Sequence, residues 1–364
     1  MLPLAAPISE CCVTPPIAFV EDKRADLEAV ASLLEESAAA NHWTNFGPVW
    51  HRLKSHIESA LQLPNDRCAI PTASGTHALN AAAALAARQD EIRWVASSFG
   101  FRATVIGPFA DAAVIDCDKD GLIDLDLLST FEDGSYQGIV ATNPFGILVD
   151  MNDAVAFARR NDKALVLDNA AAFVGFDRSD NRGVFECLSF HHTKPYGMGE
   201  GGCLIIDRAL EADAKTALDF GYKWTWASGQ AALSNGKLSD PAAAFILVRQ
   251  RNDGAWADRY REQFRRVAGI GQKLGYSPLI DLGRVGSGAY GNVPLLCARP
   301  ISLETIENGF FKLQKYYKPL GDGPVSHDLY ARIVNVPSHP GLECLSDEEL
   351  EEVLASIQPR AYAA

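Results

Sequence analysis

The residues best equipped for covalent chemistry lie in the segment Ser189–Gly202, SFHHTKPYGMGEGG, where a single lysine, Lys194, stands among small, flexible and hydroxyl-bearing side chains. A primary amine held away from water gives up its proton more readily than a surface lysine, and the neutral amine attacks an aldehyde carbon. Taken alone, Lys194 reads as an ordinary loop lysine, since most lysines are exposed; residues elsewhere in the chain change that reading. Gly197, Gly199 and Gly202 also satisfy the G-x-G-x-x-G spacing of a dinucleotide-binding loop. That loop needs a helix after its glycines, whereas Cys203–Ile206 is an apolar, strand-like run, so nicotinamide or flavin binding is rejected here. The glycines are expected to let the backbone turn tightly beside a cofactor.

Two further places complement such an amine. Ser74, Gly75 and Thr76 stand immediately before an alanine-rich helical stretch, Thr76 to Arg88. Free amides and hydroxyls at a helix N-terminus attract a phosphate, although an ordinary N-cap uses the same residue types. Asp168 follows the apolar run Ala164–Leu167, and at the carboxyl edge of a parallel sheet side chains point into the ligand crevice. A carboxylate there can keep a pyridine nitrogen protonated; a turn or capping aspartate is the plainer reading.

These residues need a scaffold, and the chain supplies the pattern of one. From about Ala73 to Ile206, short unbroken apolar runs (Arg93–Ala96, Ala113–Ile115, Gly138–Ala141, Ala164–Leu167, Cys203–Ile206) alternate with helical stretches, as in a mostly parallel sheet covered on both faces. A long helix is expected at roughly Pro241 to Ala268, then a β-like run Ile333–Val336 and an acidic closing helix after Ser346. The expected division is a large cofactor-binding α/β domain over 1–245 and a smaller C-terminal α+β domain over 246–364, which suits a length of 364 residues. A net charge of −13 without a basic run argues against a nucleic-acid partner. Eight scattered cysteines without a Cys-x-x-Cys pair indicate neither a disulfide framework nor a zinc site, and no metal is expected. No apolar run approaches membrane-spanning length, and the first twenty residues carry no leading basic segment, which argues against a cleaved signal peptide and for the cytoplasm.

Six segments, in order, resemble the DegT/DnrJ/EryC1/StrS family of pyridoxal-phosphate-dependent sugar aminotransferases: Trp43–Pro48 (WTNFGP), Ser74–Leu79 (SGTHAL), Ser98–Thr104 (SFGFRAT), Ser189–Gly202, Asn235–Ser239 (NGKLS) and Asn335–Leu342 (NVPSHPGL). The resemblance implies the fold type I, aspartate-aminotransferase-like architecture, with a large, mostly parallel sheet of the seven-stranded type. It implies that Lys194 carries pyridoxal 5′-phosphate as a Schiff base and Asp168 pairs with the pyridinium. Ser189 would join Ser74, Gly75 and Thr76 at the phosphate, and Phe101, or alternatively Phe99, would stack on the ring. Asn235 would reach the phosphate of a partner subunit, which implies a homodimer with shared sites. The implied substrates are small molecules: an amino-acid donor, glutamate by analogy, and a keto group on a nucleotide-linked deoxysugar or related natural-product precursor.

One departure concerns Asp168–Phe173, DNAAAF, which puts Ala171 where the family usually has glutamine or histidine. A shift by one residue would instead put Asn169 at the pyridine and Ala172 at the glutamine position, but an amide does not hold a pyridine proton as a carboxylate does. The missing polar side chain leaves open a lyase, dehydratase or isomerase on the same cofactor. A non-catalytic regulatory relative is the other alternative, against which the retention of Lys194, Asp168 and Ser189 argues. His191 and His192 are expected to serve local packing or hydrogen bonding rather than proton transfer.

Overall fold

The structure, a computed structural model, describes residues 17–88, 90–224, 232–251, 253–302 and 311–357. Cys11, Cys12 and the rest of the first sixteen residues lie outside them. A seven-stranded sheet takes the order β1 (Arg67–Thr72), β7 (Gly202–Asp207), β6 (Phe185–Ser189), β5 (Ala164–Asp168), β4 (Gly138–Thr142), β2 (Trp94–Ser97), β3 (Ala113–Ile115). The pairs from β3 through to β6 are parallel, and β7 runs antiparallel to both β6 and β1.

Alternating side-chain direction explains how an unbroken apolar run is buried throughout. Ile139, Ala141, Leu165 and Leu167 enter one core cluster, while Val140 and Val166 between them enter a second on the opposite face. The first face is shared with the C-terminal part of the chain, since Val293, Leu295 and Leu350 belong to the same cluster.

Helices cover the second face. These are α1 (Leu27–Ala40), α2 (Pro48–Ala60) and α3 (Gly75–Ala86), together with α6 (Glu211–Ala217) and α7 (Asp240–Arg251). Between them in the chain lie α4 (Leu125–Ser129) and α5 (Asn152–Arg160), whose buried side chains join the first face. The alanines of α3 let it lie close on β5, β6 and β7. The segment Trp43–Pro48 turns out to build the start of α2. The buried Asp240 carboxylate accepts from the amides of Val49 (3.1 Å) and Trp50 (2.9 Å), at the positive end of the helix. A Cβ on Gly47 would sit 2.5 Å from that carboxylate.

Several expectations shift. The single helix expected at 241–268 is two: α7, packed on α1 and α2, and α8 (Asp253–Lys273), packed on a three-stranded antiparallel sheet. That sheet has the order β10 (Ile333–Pro337), β9 (Asn292–Leu296), β8 (Ser277–Pro278), with α9 (Pro324–Arg332) leading into β10 and α10 (Asp347–Ile357) against α8. The division expected at 245/246 falls inside α7. Strands β1 and β6 escaped the apolar pattern because β1 contains Pro71 and β6 contains Glu186. The first is tolerated because β1 is an edge strand. The second is buried against Arg178, whose Nε and Nη2 donate to its two carboxylate oxygens at 3.0 and 2.8 Å.

Candidate active site

The carboxyl ends of β4, β5 and β6 open into a pocket of about 420 Å³. Ser74, Gly75, Thr76, Phe101, Asp168, Ser189 and Lys194 all line it, although they come from four separated stretches of chain. Asn235 does not: it is exposed and bridges Asp219. Phe101 is 58% exposed at the pocket wall, whereas Phe99 is fully buried, edge-on to Phe145 and Tyr317, and so is unavailable for stacking on a ligand.

Asp168 ends β5, with Thr142 of β4 beside it in register. Burial raises the Asp168 pKa, and the Ala170 amide, donating to its Oδ1 at 3.2 Å, and Lys194 act in the opposite sense. Burial likewise lowers the Lys194 pKa, against the pull of Asp168. A lowered amine pKa raises the neutral, nucleophilic fraction near neutral pH. Asn169 and Ala172, the pair required by the shifted register, lie in the interior instead. The Asn169 side chain accepts from Asn143 Nδ2 (2.9 Å) and donates to Glu186 Oε1 (2.7 Å), and Ala172 is buried in the core. Asp168, Ala170 and Ala171 are the members of that segment on the pocket.

The turn bearing Lys194 follows β6, and its backbone closes through Lys194 N to His191 O (2.8 Å), Gly197 N to Lys194 O (2.9 Å) and His192 N to Gly199 O (2.7 Å). Several of its carbonyls are also met by side chains from far away. Lys23 Nζ donates to His192 O (2.6 Å), Lys194 O and Gly197 O (2.9 Å); Arg249 Nε donates to Pro195 O (2.9 Å) and Gln250 Nε2 to Tyr196 O (3.3 Å). The glycines serve three different needs. Gly199 has a left-handed φ of 74°, a Cβ on Gly197 would lie 2.2 Å from His191 O, and one on Gly202 would lie 2.4 Å from the Ser74 carbonyl carbon. Gly202 thus lets β7 press against the 74–75 loop. His191 also lines the pocket, where it bonds Thr193 Oγ1 (2.9 Å) and faces Glu200 (3.4 Å).

At the start of α3, Ser74 Oγ accepts from the His77 amide at 3.2 Å and caps the helix. Gly75 allows close approach to Ser189, whose Cβ would be 3.0 Å from a Cβ on Gly75. Residues not anticipated from sequence also line the pocket: Phe19, Thr142, Asn143, Tyr316 and Tyr317. Thr142 and Asn143 had a usable signal, since they end a parallel strand at the carboxyl edge. Phe19 and the tyrosine pair had none, because long-range packing brings them there.

These residues fit pyridoxal phosphate. A capped helix N-terminus with hydroxyls from Ser74, Thr76 and Ser189 suits a phosphate, the buried Asp168 suits a pyridinium, and Lys194 with a lowered pKa suits the aldehyde. Among the described residues there is no cluster of metal-ligating side chains, and no helix is long and apolar enough to cross a membrane. The fold is found in solved structures. A putative PLP-dependent aminotransferase from Bacillus cereus ATCC 10987 matches with a TM-score of 0.77 at 20% identity, covering 94% of this chain and 99% of that one. DesI, solved in the presence of its TDP-sugar product, matches with a TM-score of 0.77 at 19% identity, covering 94% and 92%. Helicobacter pylori PseC, an aminotransferase involved in the biosynthesis of pseudoaminic acid, matches with a TM-score of 0.75 at 17% identity, covering 94% and 98%. Among curated relatives, Protein Rv3402c of Mycobacterium tuberculosis (strain ATCC 25618 / H37Rv) is 26% identical over 402 residues, spanning 94% of this chain and 90% of its own. The model of the DegT/DnrJ/EryC1/StrS aminotransferase family matches residues 25–268, so the chain belongs to that family and is a pyridoxal-phosphate-dependent aminotransferase of fold type I.

Proposed function

We propose that this enzyme moves an amino group from an amino-acid donor, glutamate, to a keto group on a nucleotide-linked deoxysugar or a related natural-product precursor. The observation that carries the site assignment is the meeting of Lys194 and Asp168 in one pocket, each with its pKa shifted by burial toward the neutral form. The sugar acceptor is supported by the likeness to DesI, solved with a TDP-sugar product, and to PseC, involved in pseudoaminic acid biosynthesis.

In this reading Lys194 binds the cofactor's aldehyde, and Ser74, Gly75, Thr76 and Ser189 hold its phosphate. Phe101 packs on one face of its ring, and Asp168 holds the proton on the pyridine nitrogen by charge. When bound, the cofactor supplies the electron sink that makes the donor's α-proton acidic. With the cofactor bound, Lys194 would take that proton at Nζ and return it at the neighbouring carbon, acting as base and then acid. Its lowered pKa raises the share of Nζ that is neutral and able to accept a proton. Asn235, exposed and away from its own pocket, reaches the phosphate of a partner subunit.

The test is mass spectrometry of products from a panel of keto-sugar and keto-acid acceptors with glutamate. A panel in which no acceptor gains nitrogen removes the sugar reading. Ala171 on the pocket favours one second reading, a lyase, dehydratase or isomerase on the same cofactor. Release of one equivalent of 2-oxoglutarate per site from glutamate without acceptor separates the two, because only transamination gives it. The shared site is tested with a tagged heterodimer of Lys194→Ala and Asn235→Asp subunits. It should recover activity that neither parent has, and a verified heterodimer as inactive as its parents removes the role of Asn235.

A further inference from the structure

We infer that Lys23 is a positioning residue for the catalytic lysine, its ammonium caged by the carbonyls of His192, Lys194 and Gly197 so that the turn aims the Lys194 side chain at Asp168. The inference rests on the assignment of Lys194 made above. An ammonium has three protons and no acceptor, and here it meets three carbonyl oxygens of one turn, so each proton has its own partner. One of the three is the carbonyl of Lys194 itself. The match links positions 169, 171 and 174 residues away from Lys23, which local folding of the turn cannot supply.

The segment that brings Lys23 there is anchored at both ends. Ile17 O accepts from the Lys312 amide (2.9 Å) and Ala18 O from His339 Nε2 (2.8 Å), both in the C-terminal part of the chain. Phe19 and Val20 then line the pocket, with Phe19 edge-on to Tyr316. Glu21 pairs with Arg249 (2.7 Å) and accepts from Tyr260 Oη (3.1 Å), and Arg249 donates to Pro195 O in the same turn. The strap therefore lines the pocket at Phe19 and Val20 and ends on the backbone of the lysine turn, so this stretch of pocket wall and the placement of Lys194 share one fastening.

The charged and titratable groups that act on Lys23 are Arg249 of α7, Glu21 of the strap and Lys194, and Lys23 acts in turn on His192 and His339. Burial first, then Arg249 and more weakly Lys194, push its pKa down to about 7 against the opposing pull of Glu21. The three carbonyls favour the charged form. Above that pH the amine keeps two N–H donors for three acceptors, so one tether of the turn is lost as pH rises.

The test uses the holoenzyme and Lys23→Met, which keeps the length and removes the charge. Borohydride reduction followed by peptide mass spectrometry should still find the cofactor on Lys194. Turnover should fall about ten- to a hundredfold with donor KM within about threefold, as for a misplaced group that still binds substrate. The visible absorbance titration of the bound cofactor should move up by about half a unit, because a cation beside Lys194 is gone. A folded Lys23→Met protein with unchanged turnover and an unmoved titration overturns the inference and leaves the Lys194 assignment standing. Trapping on a different residue in the wild type overturns the assignment and the inference together. Should Lys23→Met not fold, hydrogen exchange at the Lys194 and Gly197 amides of the wild type decides. After correction for intrinsic rates, protection should fall about fivefold between pH 6 and pH 8.5, the worth of roughly one hydrogen bond. Protection that stays level across that range overturns the inference.

Discussion

Lys194 and Asp168 face the same pocket, yet the chain holds them by opposite means. Asp168 is the last residue of a central strand: its carbonyl accepts from Asn143 N (3.0 Å), and its Cα partners are Thr142 on one side and Cys187 on the other. Behind it runs a buried polar chain, Asn143 to Asn169 to Glu186 to Arg178. Lys194 sits in an irregular turn whose carbonyls are fastened by side chains of Lys23, Arg249 and Gln250. A group proposed to hold one proton on one ring nitrogen gains from a rigid ladder. A group proposed to leave the cofactor, collect a proton and deliver it elsewhere needs a mount that sheet formation does not lock.

That contrast can be broken at either end. Lys194→Ala should cost the most, several orders of magnitude in turnover, because the covalent and proton-transfer roles go together while the fold stays. Loss of borohydride-trapped cofactor from that position, read by peptide mass spectrometry, is the accompanying sign. Retention of both turnover and trapping would remove the contrast altogether.

Arg178→Met attacks the rigid mount without touching the pocket. It leaves Glu186, fully buried, with no cation, and should cost about 3–5 kcal/mol in denaturant unfolding. A loss below about 1 kcal/mol would mean that the network is not what fixes the end of β5. Asp168→Asn should keep the fold, by circular dichroism, and lower turnover by about two to three orders of magnitude, the scale of removing one preorganised electrostatic partner. Asn169→Ala, by contrast, should act mainly on stability, because the Asn169 amide is spent on Asn143 and Glu186. Reversed outcomes for these two would restore the shifted register. The smallest effect is expected from Phe101→Leu, where loss of a ring face should weaken cofactor retention by about 0.5–1.5 kcal/mol, measured as the dissociation constant of pyridoxal phosphate. No change there would mean that Phe101, exposed as it is, serves the substrate side of the pocket.

Local sequence was enough wherever a pattern repeats on the scale of one element. The runs at Gly138–Ala141 and Cys203–Ile206 predict β4 and β7 because strands buried on both faces are apolar throughout, whereas the run Ala113–Ile115 forms β3 at the sheet edge with Ala113 exposed. The same reasoning missed β6, since its central Glu186 is made tolerable by Arg178 arriving from the preceding loop and by the Asn169 amide. It also merged α7 and α8, both helical in character, because the packing of one on α2 and the other on β9 is invisible along the chain. Within the site, Asp168 could be read from its place after an apolar strand, and Ser74–Thr76, the proposed phosphate loop, from its place before a helix. The choice between Phe99 and Phe101 could not, as both stand in the same segment and only the fold buries one and exposes the other.

The sequence by itself therefore offered the candidates: the carboxylate of Asp168 and the anion-receptive loop at Ser74–Thr76 from their positions at the ends of elements, and the amine of Lys194 from the resemblance of its segment to a family motif. Only the tertiary structure decided how they are held and what closes over them. Lys23, Phe19, Tyr317 and Arg249 carry no motif, and each acts through a contact more than fifty residues away in the chain. Such contacts exist only once the two faces of the sheet have been covered and the chain's distant ends brought together.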